Sequence, residues 1–160
     1  MNCTRGRFLS MPETTVYREL RYDAALPAAV WTARLKAASA GSTVSMPLTG
    51  DSMTPFLQQG DRVRLQPVKP GAYGIGDMAA FENAPRQRLV IHRILQRRGS
   101  YFLLAGDANY STDGWIHQSA LLAKVVYLER NGKPASLGPQ RLLALVLNGR
   151  RFWRWRRRIV

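Results

Sequence analysis

One serine, one histidine and two aspartates in this chain have the types and spacing that nucleophilic catalysis requires. Ser52 lies in Thr49-Gly50-Asp51-Ser52-Met53-Thr54-Pro55. A serine hydroxyl is a poor nucleophile at neutral pH unless a base lies within hydrogen-bond reach and donors stabilise the oxyanion. The glycine-containing turn places Ser52 at a strand-to-turn junction, where its hydroxyl can project outward. Serines are common in turns, so the residues that follow decide whether Ser52 is a candidate nucleophile.

His92 is the candidate base. It lies in Leu89-Val90-Ile91-His92-Arg93-Ile94, where the alternation predicts a strand with His92 between aliphatic neighbours on one face. A histidine in this setting is also typical of a buried core residue, and its own surroundings do not choose between the two interpretations. The second histidine, His117, has the sequence context of an ordinary loop residue.

Two acids follow in Gly106-Asp107-Ala108-Asn109-Tyr110-Ser111-Thr112-Asp113-Gly114. If residues 97–100 form a hairpin loop, His92 lies opposite Ala105, and Asp107 is a diagonal neighbour on the same face. A carboxylate there would fix the tautomer of the imidazole and stabilise the imidazolium. The alternative is that these acids only brace a turn, as Asp and Asn commonly do.

The order of these motifs resembles that of the signal peptidase superfamily, which also contains the self-cleaving LexA and phage-repressor peptidases. The matching motifs span about residues 44–130 and are, in order, Gly50-Asp51-Ser52-Met53-Thr54-Pro55, Gly60-Asp61-Arg62-Val63, Gly76-Asp77-Met78-Ala79-Ala80-Phe81, His92-Arg93, and Gly106-Asp107-Ala108-Asn109 with Asp113.

The resemblance implies a mainly β, LexA/signal peptidase-like fold and a serine endopeptidase that cleaves a leader or signal-like peptide. In the bacterial signal peptidase and LexA branches a lysine is the base, and His92 stands in the matching place here. This resembles the endoplasmic-reticulum and archaeal branch, in which the acid matching Asp113 completes a Ser-His-Asp triad and the one matching Asp107 supports the site. The resemblance therefore favours Asp113 as the partner of His92, whereas the strand register favours Asp107.

The residues next to Ser52 depart from the pattern of many signal peptidases. Asp51 replaces the glycine directly before the nucleophile, and Gly50 replaces the serine that helps to form the oxyanion hole in bacterial enzymes. We expect Gly50, Asp51 and Met53 to form the substrate and oxyanion region, with the Ser52 N–H as one donor. The Gly-Asp-Ser-Met sequence is closer to the LexA style.

The remaining sequence predicts a mainly β domain with helical segments at both ends. Residues 1–42 form an N-terminal tail and helical segment, 43–132 the peptidase domain, and 133–160 a basic C-terminal helix or tail. The N-terminal helical pattern is interrupted near Pro27. Candidate strands alternate or are bounded by Gly, Pro and Asn; they are Val44–Leu48, Arg62–Val68, Met78–Glu82, Arg88–Gln96, Tyr101–Ala105 and Leu121–Arg130.

The chain is strongly basic, with 24 Lys and Arg against 10 Asp and Glu and a formal net charge of +14. Much of the excess lies in the last twenty residues, where Arg150-Arg151-Phe152-Trp153-Arg154-Trp155-Arg156 mixes cationic and aromatic side chains. This composition suits an anionic membrane surface. The alternative is a solubilising end without a partner, and nucleic acid is the less favoured ligand.

Other features limit the cellular setting. Cys3 is the single cysteine, which excludes an internal disulfide and a cysteine-based metal site. The start of the chain lacks the apolar run of a secretory signal, and no apolar run approaches the ~20 residues of a membrane helix. We therefore expect a cytoplasmic or peripheral membrane protein with a peptide or protein substrate, no metal and no cofactor.

Two other functions are consistent with the motifs. A LexA-like regulator would cleave itself, and Ala38-Ser39-Ala40-Gly41 offers a small-x-small site just before the predicted domain. It would also need a DNA-binding helix-turn-helix upstream, for which residues 16–40 are too short and are broken by Pro27. The other function is an inactive binding module, against which the joint presence of the serine, the histidine and both acids counts.

Overall fold

The structure is a computed structural model that describes residues 26–39 and 41–138, together with positions 142, 145, 146 and 149. Within this part of the chain the fold is mainly β, as the sequence predicts: one α-helix and two short 3-10 turns accompany an eight-stranded antiparallel sheet. No helix among the described residues has the length and apolar content that crossing a membrane requires. The arginine- and tryptophan-rich tail lies outside the described residues.

The strands follow the order β1-β2-β7-β3-β4-β5-β6, and β8 pairs with β7 beside this path. Their bounds are β1 Val44–Pro47, β2 Arg62–Gln66, β3 Met78–Asn83, β4 Arg88–Arg98, β5 Tyr101–Ala105, β6 Gly114–His117, β7 Leu121–Arg130 and β8 Lys133–Ala135. All the pairings are antiparallel. The predicted sequence patterns locate six of these strands, whereas β6 and β8 were not predicted.

Alternation of apolar and charged residues explains strands such as β2, and continuous burial explains the middle of β4. In β2 the arginines are exposed while Val63 and Leu65 are fully buried. In β4 the run Ile91-His92-Arg93-Ile94 is buried on both faces, since β3 and β5 flank the strand and a core cluster covers each side. A histidine and an arginine inside such a strand need polar partners, because a buried polar group without one is costly.

The predicted register of the β4–β5 hairpin is wrong by one residue. Arg93, and not His92, lies opposite Ala105. The strands extend to Arg98 and Tyr101, so the loop is two residues shorter than predicted, and an irregularity at Leu95 takes one residue back. Because successive side chains point to opposite faces, a one-residue shift exchanges the faces of His92 and Arg93.

The predicted helical segments at the two ends are not borne out. The described helix, α1, spans only Ala28–Ala37, and the predicted C-terminal helix lies mostly outside the described residues. Pro27 precedes α1 because proline lacks the N–H and the space that a helix interior requires, and the extended Ala38 ends it. Trp31 and Leu35, one turn apart, are buried in the core cluster on one side of the sheet.

Two buried aspartates brace turns at the edges of the sheet. Asp61 accepts hydrogen bonds from the Gln58 N–H and from Arg130 on β7, and Arg130 also donates to the Phe56 carbonyl. Asp77 accepts from the Gly74 N–H and lies 2.6 Å from the Lys124 ammonium on β7. Each acid thus closes its own turn and ties that turn to β7.

Burial and hydrogen-bond partners have opposite effects on the pKa of Asp61. Burial raises the pKa of this carboxyl, but the hydrogen bonds from Arg130 and the Gln58 N–H, with the charge of Arg130, outweigh burial and lower the pKa below its usual value. Beside Asp77, burial and the nearby carboxylate raise the pKa of the Tyr73 hydroxyl to about 12.

Replacing Asp61 with Asn should weaken the fold in a pH-dependent way. A carboxyl whose pKa is lowered on folding stabilises the protein above its unfolded pKa, and this contribution disappears as pH falls through the folded pKa. We expect Asp61→Asn to cost about 1–3 kcal/mol at neutral pH, and the difference from wild type to shrink below about pH 4. Urea unfolding across this pH range measures it.

Glu82→Gln is the matched control, because Glu82 is an exposed carboxylate without an ion pair among the described residues. A loss of stability in Asp61→Asn that is the same at acidic and neutral pH would contradict the assignment.

Candidate active site

Ser52 lies in the turn that follows β1, and the sequence around it holds the turn rigid. Gly50 has a φ of +100°, a conformation that glycine adopts without strain. The Thr54 N–H donates to the Asp51 carbonyl, and the N–H groups of the next turn donate to the Met53 carbonyl. The Met53 side chain is buried in the core. Ser52 therefore lies in a turn that the positive φ of Gly50 begins and the buried Met53 side chain anchors.

His92 contacts both Ser52 and Asp113. Its Nε2 lies 3.1 Å from the Ser52 Oγ, and its Nδ1 lies 2.6 Å from the Asp113 Oδ2. An ionised carboxylate can only accept, so Nδ1 donates to Asp113 and Nε2 is left to accept the hydroxyl proton of Ser52. The imidazole is 5% exposed and lies edge-on to the Phe81 ring. This is the hydrogen-bond order of a nucleophile, a base and an orienting acid.

Asp113 reaches His92 because of a strand that the sequence pattern did not predict. The chain leaves β5, makes a turn over residues 106–112, and returns as β6 beside β5. The Asp113 N–H donates to the Leu104 carbonyl at 2.8 Å, which places the acid at the start of β6. Of the two candidates, the structure thus brings Asp113 to His92, and the strand-register argument for Asp107 was wrong.

Asp107 instead forms a buried ion pair with Arg93. The Arg93 Nε and Nη2 donate to the Asp107 carboxylate at 2.7–3.1 Å, and Arg93 Nη1 donates to the Gly76 carbonyl at 2.8 Å. Both side chains are almost completely buried, at 0% and 2% exposure. Asp107 therefore supports the site through Arg93 and makes no hydrogen bond to His92.

The turn that contains Asp107 also touches the backbone of Ser52. The Ala108 N–H donates to the Ser52 carbonyl at 2.9 Å. The approach requires glycine at position 106, because a Cβ there would lie 2.6 Å from the Ser52 carbonyl oxygen. The ion pair, this close approach and the Asp113 contact thus all belong to one short segment, residues 106–113.

A cleft of about 1180 Å³ opens over Ser52, His92 and Asp113. Its walls come from the end of β1, the Ser52 turn, the β3–β4 hairpin, the 108–113 turn and the start of α1. All three residues expected to form the substrate region, Gly50, Asp51 and Met53, line it. Gly50 and Asp51 are exposed in the cleft, whereas the buried Met53 side chain mainly anchors the turn.

Other candidates from the sequence lie away from this cleft. His117 ends β6, exposed, with its Nδ1 at 2.8 Å from the Ser119 hydroxyl and its ring against Tyr101. Ala38, Ser39 and Gly41, the described part of the predicted self-cleavage site, do not line the cleft. Within the described ranges, no group of three or more His, Cys, Asp or Glu side chains could hold a metal ion.

Sequence reasoning missed Arg93 and Ala108 as positioning residues. Arg93 carried a usable signal, since a charged residue inside an apolar central strand needs a buried partner of opposite charge, and Asp107 lies one hairpin away. Ala108 acts only through its backbone N–H, so its side-chain type could not have identified it.

Comparison with known proteins does not place the chain: no protein-family model matches the sequence, and no curated protein is significantly similar to it.

Gly106→Ala should displace the turn from Ser52. The added Cβ would meet backbone at 2.6 Å, so the turn must move and the Ala108–Ser52 hydrogen bond must lengthen. We expect a loss of about 1–3 kcal/mol in the free energy of unfolding and a changed amide chemical shift for Ala108. Gly138→Ala is the control, because its added Cβ would meet only the Ser136 hydroxyl, at 3.7 Å. Unchanged stability and an unchanged Ala108 amide in Gly106→Ala would refute the close approach.

Proposed function

We propose that this chain is a serine endopeptidase of the signal peptidase and LexA-like superfamily, with a Ser-His-Asp triad. The observation that carries the proposal is the hydrogen-bonded series from Asp113 through His92 to Ser52, at 2.6 and 3.1 Å, on the wall of an open cleft. Its substrate is a leader or signal-like peptide segment.

The triad supports acyl transfer in two steps. The Ser52 Oγ attacks the carbonyl carbon of the scissile peptide bond while its proton passes to His92 Nε2, and Asp113 stabilises the imidazolium. The tetrahedral intermediate collapses as Nε2 gives that proton to the leaving nitrogen, which breaks the C–N bond and leaves an ester on Ser52. Water then attacks the ester, gives a proton to Nε2, and the acid product leaves as Ser52 recovers its proton.

The Ser52 N–H is the candidate donor for the oxyanion. Among the residues that the structure describes, no group accepts a hydrogen bond from it. Because the Gly50 position has no side chain to donate, a second donor must come from another group. A preorganised donor at this place would stabilise the charge that develops on the carbonyl oxygen.

The edge of the sheet supports binding of an extended peptide. In the described part of the chain β1 pairs only with β2, and Met46, Pro47 and Leu48 line the cleft. An extended peptide can add to such an edge through main-chain hydrogen bonds and run past Ser52.

The alternatives have less support. For self-cleavage, the small-residue segment would have to reach Ser52, yet its described residues lie outside the cleft and the Ser39 carbonyl is bonded to the Ser42 N–H. For an inactive module, the triad would have no reason to keep hydrogen-bond geometry across three separate elements.

Loss of the nucleophile or of the base should abolish peptide cleavage. We expect wild type to cut a subset of a peptide library, and Ser52→Ala and His92→Ala to reduce the rate by about 10³-fold or more while both variants stay folded. Mass spectrometry of the digests gives both the rates and the cleavage sites. Equal turnover by the Ser52→Ala protein would overturn the mechanism.

Replacing Asp113 should mainly lower activity, whereas replacing Asp107 should mainly lower stability. Asp113→Asn should lower kcat by about 10³–10⁴-fold and leave the fold intact, because it removes the acceptor that sets the tautomer. Asp107→Asn should cost about 3–5 kcal/mol of stability, because it leaves Arg93 buried without its partner. Peptide cleavage and urea unfolding of both variants decide this, and the reverse pattern would show that the roles are exchanged.

A further inference from the structure

Two arginines line the cleft at a distance from the triad. Arg86 ends the 3-10 turn Ala84–Arg86 between β3 and β4, and Arg88 begins β4. Both are exposed and both line the cleft that holds Ser52 and His92. Neither guanidinium pairs with an acidic side chain among the described residues. Arg93 and Arg130, by contrast, pair with the buried carboxylates of Asp107 and Asp61.

Among the described residues, the acids around this end of the cleft form no ion pair with the two arginines. Arg88 lies opposite Asn83, and Glu82 lies opposite Leu89, so Glu82 belongs to the other face of the β3–β4 hairpin. The acids that line the cleft are Asp51 and Asp113, and Asp113 is engaged with His92. The end of the cleft beside the hairpin is therefore positively charged.

The strand geometry sets the distance between this charge and the reacting centre. Arg88, Val90 and His92 alternate along β4 in an unbroken register with β3, so their side chains share one face. Four residues of strand span about 13 Å, and an extended peptide advances by the same amount per residue. For a peptide that passes Ser52 alongside β4, a side chain near Arg88 would therefore belong to a residue about four positions from the scissile bond.

Apolar side chains also contribute to the cleft. Trp31, Met46, Leu48 and Val90 are among the residues that line it. A peptide that fits this cleft carries small or apolar side chains beside these residues and negative charge over the arginines.

We infer that Arg86 and Arg88 form a specificity subsite for an acidic side chain of the peptide substrate, about four residues from the scissile bond. The inference rests on the proposed peptidase function and names the chemistry of its substrate. The pair selects by charge complementarity, which discriminates against a lysine at the same place and speeds encounter with an acidic peptide.

Cleavage kinetics test the subsite directly. Peptides are taken from the library that wild type cuts and are remade with Asp, Ala or Lys at the fourth residue on each side of the cut. On one side, wild type should prefer Asp over Ala by about fivefold, and the double variant Arg86→Gln/Arg88→Gln should lose this preference. Its kcat/KM should fall more for the Asp peptide than for the Ala peptide, which separates loss of the subsite from loss of the triad.

Charge reversal sharpens the result. Arg86→Glu/Arg88→Glu should prefer the Lys peptide over the Asp peptide. Arg62→Gln is the matched control, because Arg62 is an exposed strand arginine that does not line the cleft, and it should keep the preference for Asp. Added salt should weaken the preference, since exposed charges are screened.

A binding measurement separates this inference from the proposed function. Fluorescence anisotropy compares a labelled Asp peptide with its Lys counterpart on Ser52→Ala protein, with and without the two arginines. Arginine-dependent binding of the Asp peptide, together with no cleavage of it by wild type, supports the subsite and refutes the peptidase. Cleavage without any acidic preference keeps the peptidase and overturns the subsite.

A lipid surface is the competing ligand for the same charges. Sedimentation with phosphatidylserine vesicles and with phosphatidylcholine vesicles tests it on wild type and on the double Gln variant. Arginine-dependent binding to the anionic vesicles, together with no discrimination between peptides, would overturn the inference and assign the pair to a headgroup.

Discussion

The buried ion pair between Arg93 and Asp107 is the interaction on which the geometry of the site depends. Removing two charges from water is expensive, and the cost is offset only when the hydrogen bonds are well made. Here three bonds join the guanidinium to the carboxylate, and a fourth goes to the Gly76 carbonyl. The pair therefore fixes the position of β4 relative to two turns at once. One of these turns donates to the Ser52 carbonyl through Ala108 and continues to Asp113.

The same device recurs along the chain with a different cation each time. Asp61, Asp77 and Asp107 each follow a glycine, each is buried, and each pairs with a base on a central strand, namely Arg130, Lys124 and Arg93. In the first two the carboxylate also accepts the N–H of the residue three positions earlier. These ion pairs hold the turns to the sheet without a disulfide. The fourth Gly-Asp pair, with Asp51, is exposed beside Ser52 and lines the cleft.

The two acids of the 106–113 segment differ because their surroundings differ. Asp107 accepts bonds from Arg93 with both oxygens and is shut off from solvent, so it has a structural role. Asp113 is 17% exposed and accepts from the imidazole, so it lies where a carboxylate would stabilise a positive charge on His92. The partner of Asp113 is His92, and the partner of Asp107 is Arg93. These neighbours in β4 point to opposite faces, because a strand sends consecutive side chains to opposite faces. The strand thereby keeps the chemical series and the supporting ion pair apart.

The sequence by itself determined the mainly β fold and six of its strands, because alternation and turn residues are local signals, and it singled out Ser52, His92 and the two acids as candidate site residues. It did not determine which acid meets His92. That choice depends on a two-residue hairpin loop, an irregularity at Leu95 and the return of β6 beside β5, none of which has a strong local signature. The ends of the helical segments were likewise misjudged, since Pro27 and the packing of Trp31 and Leu35 set the limits of α1. Only tertiary structure decides such points, because a shift of one residue in pairing costs little locally and yet exchanges every side chain between the two faces.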